Sequence, residues 1–511
     1  MGVMTTGCIR GLLLWSACGS ALAFSPSVSG PCGTPQMLEE TLAAVVPQVP
    51  IRPPGTEKAE RDANGVCANS ASSDNFVLKW GNDATVSSLA VQDMLQAFEF
   101  SWSELVNDMG HPAPKTTESY KFNVYVGDTG SCAPSVYGMG GYFTVDSEGY
   151  PFIVMSQGTM ADTVYGQSVA AHEFYHAVQH ASEAYGAGTY AQWYWEATAT
   201  WAEREVYVSD TVYAQFLFGY AFMPYKQLNA YQYPGSGAIE EYHQYGAFIF
   251  PQFHTEHVYD WDLIRDSWVV SDWNDDPVRV LDELIGDESI EPVFGDFAAY
   301  NATWDYLDGA LYEQVLDYYA DNTGYGIDDA RIVDSVGSQG TGPEWVDGPI
   351  STLPERFGYN IIRLKSPESR TLTVRFEGDA VGSEGSAARY QVRLVHEYGV
   401  NRTYKTVDLD GTSGELSVGK VGTEAALYLA VSAFADHWNE GETFGYRFQF
   451  DMGEVDAPGV DTSTGGSKPQ ALHVANKDDN GCACAQGSVS RGAGGWVLML
   501  GALLGLRRRA T

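Results

Sequence analysis

Hydrophobic positions recur with two different periods along this chain. Between residues 76 and 182, apolar residues alternate in some stretches and recur every three or four positions in others. Alternation is typical of strands, and the longer spacing is typical of a helix with one buried face. The predicted elements are strands at 76–80, 122–126, 141–145 and 152–156 and helices at 86–109 and about 166–182.

The rest of the chain changes period near residue 350. Residues 190–345 are predicted to be mostly helical, whereas later residues alternate in stretches separated by glycine-rich turns. Short alternating strands at this spacing favour a β-sandwich. The candidate helices are 191–207, 245–256, 261–271, 276–286 and 292–306. Examples of the candidate strands are 359–364, 372–376, 390–395, 427–433 and 446–450.

These patterns predict a multidomain α+β protein in which a mixed sheet with helices precedes a β-sandwich. Arg10 precedes an apolar run that ends in Ala21-Leu22-Ala23, which is typical of a signal peptide. The predicted order is a signal peptide at 1–23, an extended N-terminal segment or pro-segment at 24–75, a sheet-and-helix subdomain at 76–189, a helical subdomain at 190–345, a β-sandwich at 346–455, a linker at 456–481 and a C-terminal tail at 482–511.

Composition narrows the classes of function. The chain has 29 basic and 66 acidic side chains, a formal charge of −37. This charge argues against nucleic acid as a partner and against docking on an anionic membrane face. With 44% hydrophobic and 13% aromatic residues, most of the chain is expected to fold. An acidic, exported, globular protein fits these values.

Cysteine usage fits an oxidising compartment. Outside the predicted signal peptide and the C-terminal tail, the chain has Cys32, Cys67 and Cys132. We expect a Cys32–Cys67 disulfide with Cys132 free, and the other pairings stay open. The seven cysteines form no CxxC pair, so no cysteine-type structural zinc site is predicted.

One short motif points to metal chemistry. The sequence HEFYH at 172–176 lies in a helical stretch, 169–182, that contains no proline or glycine. Residues four apart share a helix face, so both imidazoles can reach one ion, and zinc accepts neutral imidazole nitrogen. Glu173 can take a proton from a metal-bound water. The competing interpretation is a pair of surface histidines one turn apart.

A catalytic zinc needs a third protein ligand and an open position. Glu196 is the best candidate, because it follows His176 by 20 residues in a predicted helix that can fold back on the first. His180 continues the four-residue series, but its axial rise of about 12 Å from His172 is too large for one ion. Glu203 either orients a histidine or is an exposed helix carboxylate.

An HExxH helix followed by a ligand glutamate resembles the gluzincin zinc peptidases. Residues 193–203 are similar to the W-x-x-E-x-x-A-x-aromatic-x-E pattern of their aminopeptidase-like branch. The resemblance implies a zincin-like catalytic domain with 76–189 as the upper subdomain and 190–345 as the helical lower one. In zincins an edge strand above the cleft pairs with the substrate, and 140–145 or 151–155 can supply it. The resemblance implies a peptide or protein substrate, one zinc ion on His172, His176 and Glu196, and Glu173 as general base.

The same family places a tyrosine or histidine on a later helix, where it stabilises the tetrahedral oxyanion. Residues 242–247, YHQYGA, are similar to its Y-x-x-G segment, with His243 three positions before the glycine. The resemblance implies a catalytic role for His243 or Tyr245, against helix-packing aromatics as the alternative. The G-x-M-E-N exopeptidase motif of that branch is absent, so the mode of cleavage stays open.

The C-terminal tail adds a second resemblance. Cys482 and Cys484, a short apolar stretch and the run 507–509 of arginines resemble the sorting signal of myxobacterial surface proteins. The whole chain resembles surface metalloproteases predicted in myxobacteria. This implies a secreted, surface-displayed zinc metallopeptidase that meets a membrane only through its tail. The alternative is a non-catalytic surface adhesin or binding protein on a zincin scaffold.

Overall fold

Alternating apolar residues early in the chain form one mixed sheet of five strands. Its strands are β1 (Asn69–Ser72), β2 (Phe76–Trp80), β3 (Phe122–Val126), β4 (Gly141–Val145) and β5 (Pro151–Met155). The spatial order is β1-β2-β3-β5-β4, with β2, β3 and β5 parallel and β1 and β4 antiparallel to their neighbours. The four predicted strands are confirmed as β2 to β5, and β4 forms one edge of the sheet.

The computed structural model describes most of the chain between residues 52 and 453. The predicted signal peptide, linker and C-terminal tail, and Cys32, lie outside the described residues. No helix within the described part is long and apolar enough to cross a membrane. The described residues are 52–53, 56–62, 65–186, 190–233, 238–286, 288–322, 334–337, 344–365, 370–421 and 426–453.

Helices form where apolar residues recur every three or four positions. They are α1 (Ser88–Trp102), α2 (Gln157–Ala161), α3 (Thr163–Ser182), α4 (Gln192–Val206), α5 (Leu217–Ala221), α6 (His243–Gly246), α7 (Ile249–Phe253), α8 (Asp262–Val269), α9 (Pro277–Ile285), α10 (Ile290–Asn301) and α11 (Gly309–Asn322). The helix predicted at about 166–182 is confirmed as α3. It starts three residues earlier, since the Asp162 carboxylate accepts hydrogen bonds from the backbone N–H groups of Val164 and Tyr165.

The helix predicted at 245–256 is broken into pieces. α6 ends at Gly246, and α7 continues as a π-helical turn over His254–Val258. Pro251 lies inside α7 and has no backbone N–H, so it removes one helical hydrogen bond. A side chain at position 246 would collide with the Phe216 carbonyl oxygen, so close packing also fixes this segment.

The predicted β-sandwich is present as two five-stranded sheets. Its strands are β6 (Asp334–Gly337), β7 (Val346–Asp347), β8 (Gly358–Lys365), β9 (Arg370–Gly378), β10 (Arg389–Tyr398), β11 (Asn401–Thr406), β12 (Leu409–Asp410), β13 (Ser413–Val421), β14 (Ala426–Phe434) and β15 (Tyr446–Met452). The sheet orders are β11-β10-β14-β8-β6 and β12-β13-β9-β15-β7, antiparallel except where β6 pairs with β8. Val392 and Val431 of one sheet share a buried cluster with Val374 and Phe376 of the other.

One sheet of the sandwich also packs against the helices, on the face that points away from the other sheet. Tyr359 and Tyr428 lie in the same apolar core as the helices and the mixed sheet. α10 packs on β10 and β14, where Arg393 binds Asp296 at 2.6 Å. The sheet that contains β10 and β14 is therefore covered on both sides. The prediction of a mixed α+β protein is confirmed.

The expected pairing of Cys32 with Cys67 is wrong. Cys67 is bonded to Cys132, with 5.2 Å between their Cα atoms. β1 is antiparallel to β2, and β2 is parallel to β3, so the chain before β1 meets the loop after β3 at one end of the sheet. This topology brings together two cysteines that are 65 residues apart in sequence.

Candidate metal centre

The HEFYH motif lies on helix α3, and all five of its residues are buried. This helix packs against α1 on one side and against α4 on another. His172 and His176 are buried and lie one turn apart on the face toward α4, which presents Glu196. Each of these three residues is at most 1% exposed, so the alternative of two surface histidines does not describe them.

The geometry of these side chains suits a single metal ion. His172 Nε2 lies 3.3 Å from Glu196 Oε2, and His176 Nε2 lies 3.7 Å from Glu196 Oε1. Ligand atoms 2.0–2.1 Å from a tetrahedral zinc-sized ion are roughly 3.4 Å apart. Within the described ranges, these residues form the one group of three or more metal-ligating side chains, with ligand atoms within 4.8 Å of one another. The structure thus contains a buried group that can hold a metal ion.

Each imidazole is oriented through its other ring nitrogen. Nδ1 of His172 lies 2.8 Å from Glu203 Oε1, and Nδ1 of His176 lies 2.6 Å from Gln179 Oε1. With Nδ1 of each ring held by these oxygens, Nε2 of each ring faces Glu196. Hydrogen bonds of this kind fix ring orientation and tautomer at metal sites.

The charges around these side chains favour a positive charge at this position. Burial lowers the pKa of His172, but hydrogen bonds to Glu196 and Glu203 outweigh it and raise the pKa to about 10. Burial raises the pKa of Glu196, but the two neighbouring histidines lower it to about 2. The carboxylates therefore favour a positive charge on this group of side chains, and a bound cation can supply it.

The edge strand β4 approaches the centre closely. A Cβ atom added to Gly141 would lie 3.3 Å from Cγ of Glu173, 3.1 Å from Sδ of Met155 and 3.2 Å from the carbonyl oxygen of Val154. Glycine therefore allows the first residue of β4 to lie against Glu173. Of the two strands considered from sequence, β4 is at the edge and β5 lies inside the sheet.

A sequence-family profile matches residues 46–454, and its description is "Family of unknown function (DUF6055)". The chain belongs to the DUF6055 family. No curated protein matches this DUF6055 member. A solved structure, the pre-peptidase C-terminal domain of a collagenase from Bacillus anthracis, matches at 11% identity over 23% of this chain and 93% of that domain. The TM-score of this match is 0.16.

The two candidate oxyanion residues of this DUF6055 protein lie in different surroundings. The Tyr245 ring is 6.3 Å from the His172 ring, measured between centroids. The His243 ring packs 5.1 Å from the Tyr220 ring, and burial lowers its pKa to about 4. Of the two, Tyr245 is therefore the one in ring contact with a candidate metal ligand, and the catalytic role of either residue stays a prediction.

One residue of the centre was missed by the sequence analysis. Gln179 is fully buried, and its Nε2 donates to the Trp195 carbonyl oxygen at 2.9 Å and to Thr198 Oγ1 at 2.8 Å. These donors fix the amide so that Oε1 faces His176. The only available signal was that Gln179 follows His176 by three residues, which places both on one helix face.

Proposed function

We propose that this protein is a zinc-dependent metallopeptidase with a zincin-like catalytic domain. The observation that carries the proposal is the buried group of His172, His176 and Glu196, with Glu173 one residue from the first histidine. Helices α3 and α4 supply the candidate ligands, and the edge strand β4 lies beside Glu173. The resemblance to the gluzincins implies both features.

The donor set favours zinc over other common divalent ions. Two imidazoles and one carboxylate are the nitrogen and oxygen ligands that catalytic zinc takes, with a fourth position left for water or substrate. Calcium and magnesium prefer oxygen ligands and are poorly suited to two histidines. The carboxylate of Glu203 on His172 supports this assignment, because such partners raise the basicity of a zinc-bound imidazole.

The proposed reaction is hydrolysis of a peptide bond. Zinc, when bound, polarises the scissile carbonyl and lowers the pKa of water. Glu173 takes a proton from the attacking water while the water oxygen bonds to the carbonyl carbon. The C–N bond then breaks, and Glu173 delivers the proton to the leaving amine. The second proton of the water also passes to the amine, so the products are a carboxylate and an ammonium group.

The surroundings of Glu173 support a peptide or protein as substrate. Strand β4 begins against this carboxylate at Gly141 and runs along the edge of the sheet. An extended peptide can add to such an edge through backbone hydrogen bonds, largely independently of its sequence. Tyr245, near His172, is the better supported of the two candidates for oxyanion stabilisation.

The proposal includes export and display at the cell surface. It rests here on the signal-peptide pattern at 1–23 and on the resemblance of the tail to a myxobacterial sorting signal. Under this proposal the protein meets a membrane only through that tail.

The test compares the purified protein with its Glu173→Gln variant. Zinc content is measured by atomic emission, and casein hydrolysis is measured with and without a chelator. We expect one zinc per chain in both proteins and at least about a hundredfold loss of turnover in the variant. Glu288→Gln, at an exposed position, is the matched control.

Each other outcome has a definite meaning. Equal hydrolysis by Glu173→Gln would remove the proposed mechanism. Zinc without hydrolysis in the wild-type protein would favour a surface binding protein on a zincin scaffold. A chain that binds no metal would contradict the assignment of the centre itself.

A further inference from the structure

A cavity lies at the C-terminal end of α3, beyond the candidate metal ligands. Its volume is about 690 Å³, and it is lined by the residues that end α3, the residues that follow α8 and Lys115. Helix α3 ends at Ser182, and α8 ends at Val269. The carbonyl ends of two helices therefore meet at this cavity, and each carries a partial negative charge.

The charged side chains of the cavity leave it negative. Lys115 Nζ binds Glu183 Oε1 at 2.8 Å, so this pair is neutral. Asp272 also lines the cavity, and its carboxylate adds one negative charge. His180 carries no charge at neutral pH, because burial and then Lys115 lower its pKa to about 3.

His180 supplies a buried polar group with no partner. The residue lines the cavity and is 5% exposed, and its Nδ1 has no hydrogen-bond partner. A buried polar atom without a partner is costly in a folded protein and often marks a place where a ligand or water binds. A neutral imidazole can accept a hydrogen bond from a cationic group.

Three other residues that line the cavity are apolar and exposed. Val269, Val270 and Trp273 are 54%, 60% and 38% exposed, respectively. Exposed aliphatic side chains can pack along the methylene stem of lysine or arginine, and an indole ring attracts the cationic head. Gly186 packs so closely on Trp273 that a Cβ there would clash with the indole ring, and this contact holds the ring in place.

The cavity lies within reach of a peptide bound at the metal centre. His180 follows the ligand His176 by one helical turn, an axial rise of about 6 Å. Its ring is 5.5 Å from the ring of Phe143 in β4, whereas Gly141 of the same strand lies against Glu173. Strands rise about 3.4 Å per residue, so an extended peptide beside β4 passes from Glu173 to the cavity within two or three residues.

We infer that this cavity is a specificity subsite for a lysine or arginine side chain of a peptide substrate, two or three residues from the scissile bond. The inference rests on the proposed peptidase function. Asp272, the helix-end carbonyl groups and the Trp273 ring receive the cationic head, and Val269 and Val270 contact the stem. Acidic side chains are disfavoured by the net negative charge of the lining.

The test is a set of peptides that differ only in one residue, placed two or three positions on either side of a cleaved bond. We expect kcat/KM for arginine to exceed that for alanine by about tenfold at one of these positions. In Asp272→Asn this ratio should fall about three- to tenfold, the range of an exposed ion pair with some desolvation. Asp317→Asn, an exposed aspartate on α11, is the matched control and should keep the ratio.

Binding of the same peptides to the zinc-loaded Glu173→Gln protein separates this inference from the proposed function. Hydrolysis with no preference for basic residues, or a preference for acidic or apolar ones, overturns the subsite and leaves the peptidase. Binding of the arginine peptide that depends on Asp272, without hydrolysis by the wild type, keeps the subsite and overturns the peptidase. If the protein neither hydrolyses nor binds these peptides, both the subsite and the peptidase function are overturned.

Discussion

Gln179 Oε1 lies 2.6 Å from Nδ1 of His176, so helix α3 supplies both a candidate metal ligand and the group that orients it. The same amide donates to the Trp195 carbonyl oxygen and to Thr198 Oγ1. Both acceptors belong to α4, the helix that carries Glu196. The amide therefore connects the two helices that carry the candidate metal ligands.

Replacing Gln179 should weaken metal binding without removing a ligand. In Gln179→Leu, the His176 ring loses its acceptor and can rotate, so we expect zinc affinity to fall about 10- to 100-fold. Affinity is measured by competition with a chromophoric chelator, and visible absorption of the cobalt-substituted protein reports the ligand geometry. Gln157→Leu, at an exposed position on α2, should bind zinc like the wild type. An unchanged affinity in Gln179→Leu would show that packing alone orients His176.

The Glu203 carboxylate that contacts His172 should contribute to zinc affinity through both its position and its charge. Glu203→Gln keeps an acceptor for Nδ1 but loses the charge, whereas Glu203→Leu loses both. We therefore expect zinc affinity to decrease in the order wild type, Glu203→Gln, Glu203→Leu, with about a 10- to 100-fold total range. Equal affinities for the wild type and Glu203→Gln would mean that the charge adds nothing, and equal affinities for the two variants would mean that the hydrogen-bond acceptor adds nothing.

Sequence pattern was sufficient for most of the fold because burial follows the hydrophobic period. The strands β2 to β5 and the helices α1 and α3 lie close to where the pattern places them. The short helix α5 and the break at Gly246 were missed, since neither changes the apolar pattern along the chain. They depend on contacts with distant backbone, such as the Phe216 carbonyl oxygen.

Sequence spacing identified the ligand candidates but not their surroundings. The HExxH spacing and a glutamate 20 residues later specify which side chains can share one ion. Gln179 has the same helical spacing as many core residues, so its hydrogen bond to His176 became visible only in three dimensions. The pairing of Cys67 with Cys132 likewise depends on strand order, which local pattern does not encode.

Buried neutral histidines should make the protein sensitive to acid. Burial lowers the pKa of His254 to about 3, far below the 6.5 of an exposed histidine. Between pH 6.5 and 3 the unfolded chain binds a proton that the folded chain does not, so stability falls as pH decreases through this window. One such residue costs about 1.4 kcal/mol per pH unit. His111 and His180 also have pKa values lowered to about 3 by burial.

Unfolding free energies at pH 7.5 and 5.5, in chelating buffer, check this expectation. The variant His254→Phe places an apolar ring among Phe250, Phe253 and Tyr259, and its loss of stability on acidification should be smaller by the contribution of one proton. His437→Phe, at an exposed position, is the control. Equal pH dependence in His254→Phe and the wild type would contradict a neutral His254.

The Cys67–Cys132 disulfide should stabilise the end of the sheet that leads into β4. It closes a loop of 65 residues, for which the chain-entropy relation gives about 4 kcal/mol. We expect the Cys67→Ser, Cys132→Ser double variant to lose about 2–4 kcal/mol in urea unfolding. Cys32→Ser should keep the wild-type value, since the sulfur of Cys67 is already bonded to Cys132. A loss of stability in Cys32→Ser, or a Cys32–Cys67 peptide found by non-reducing digestion, would contradict this pairing.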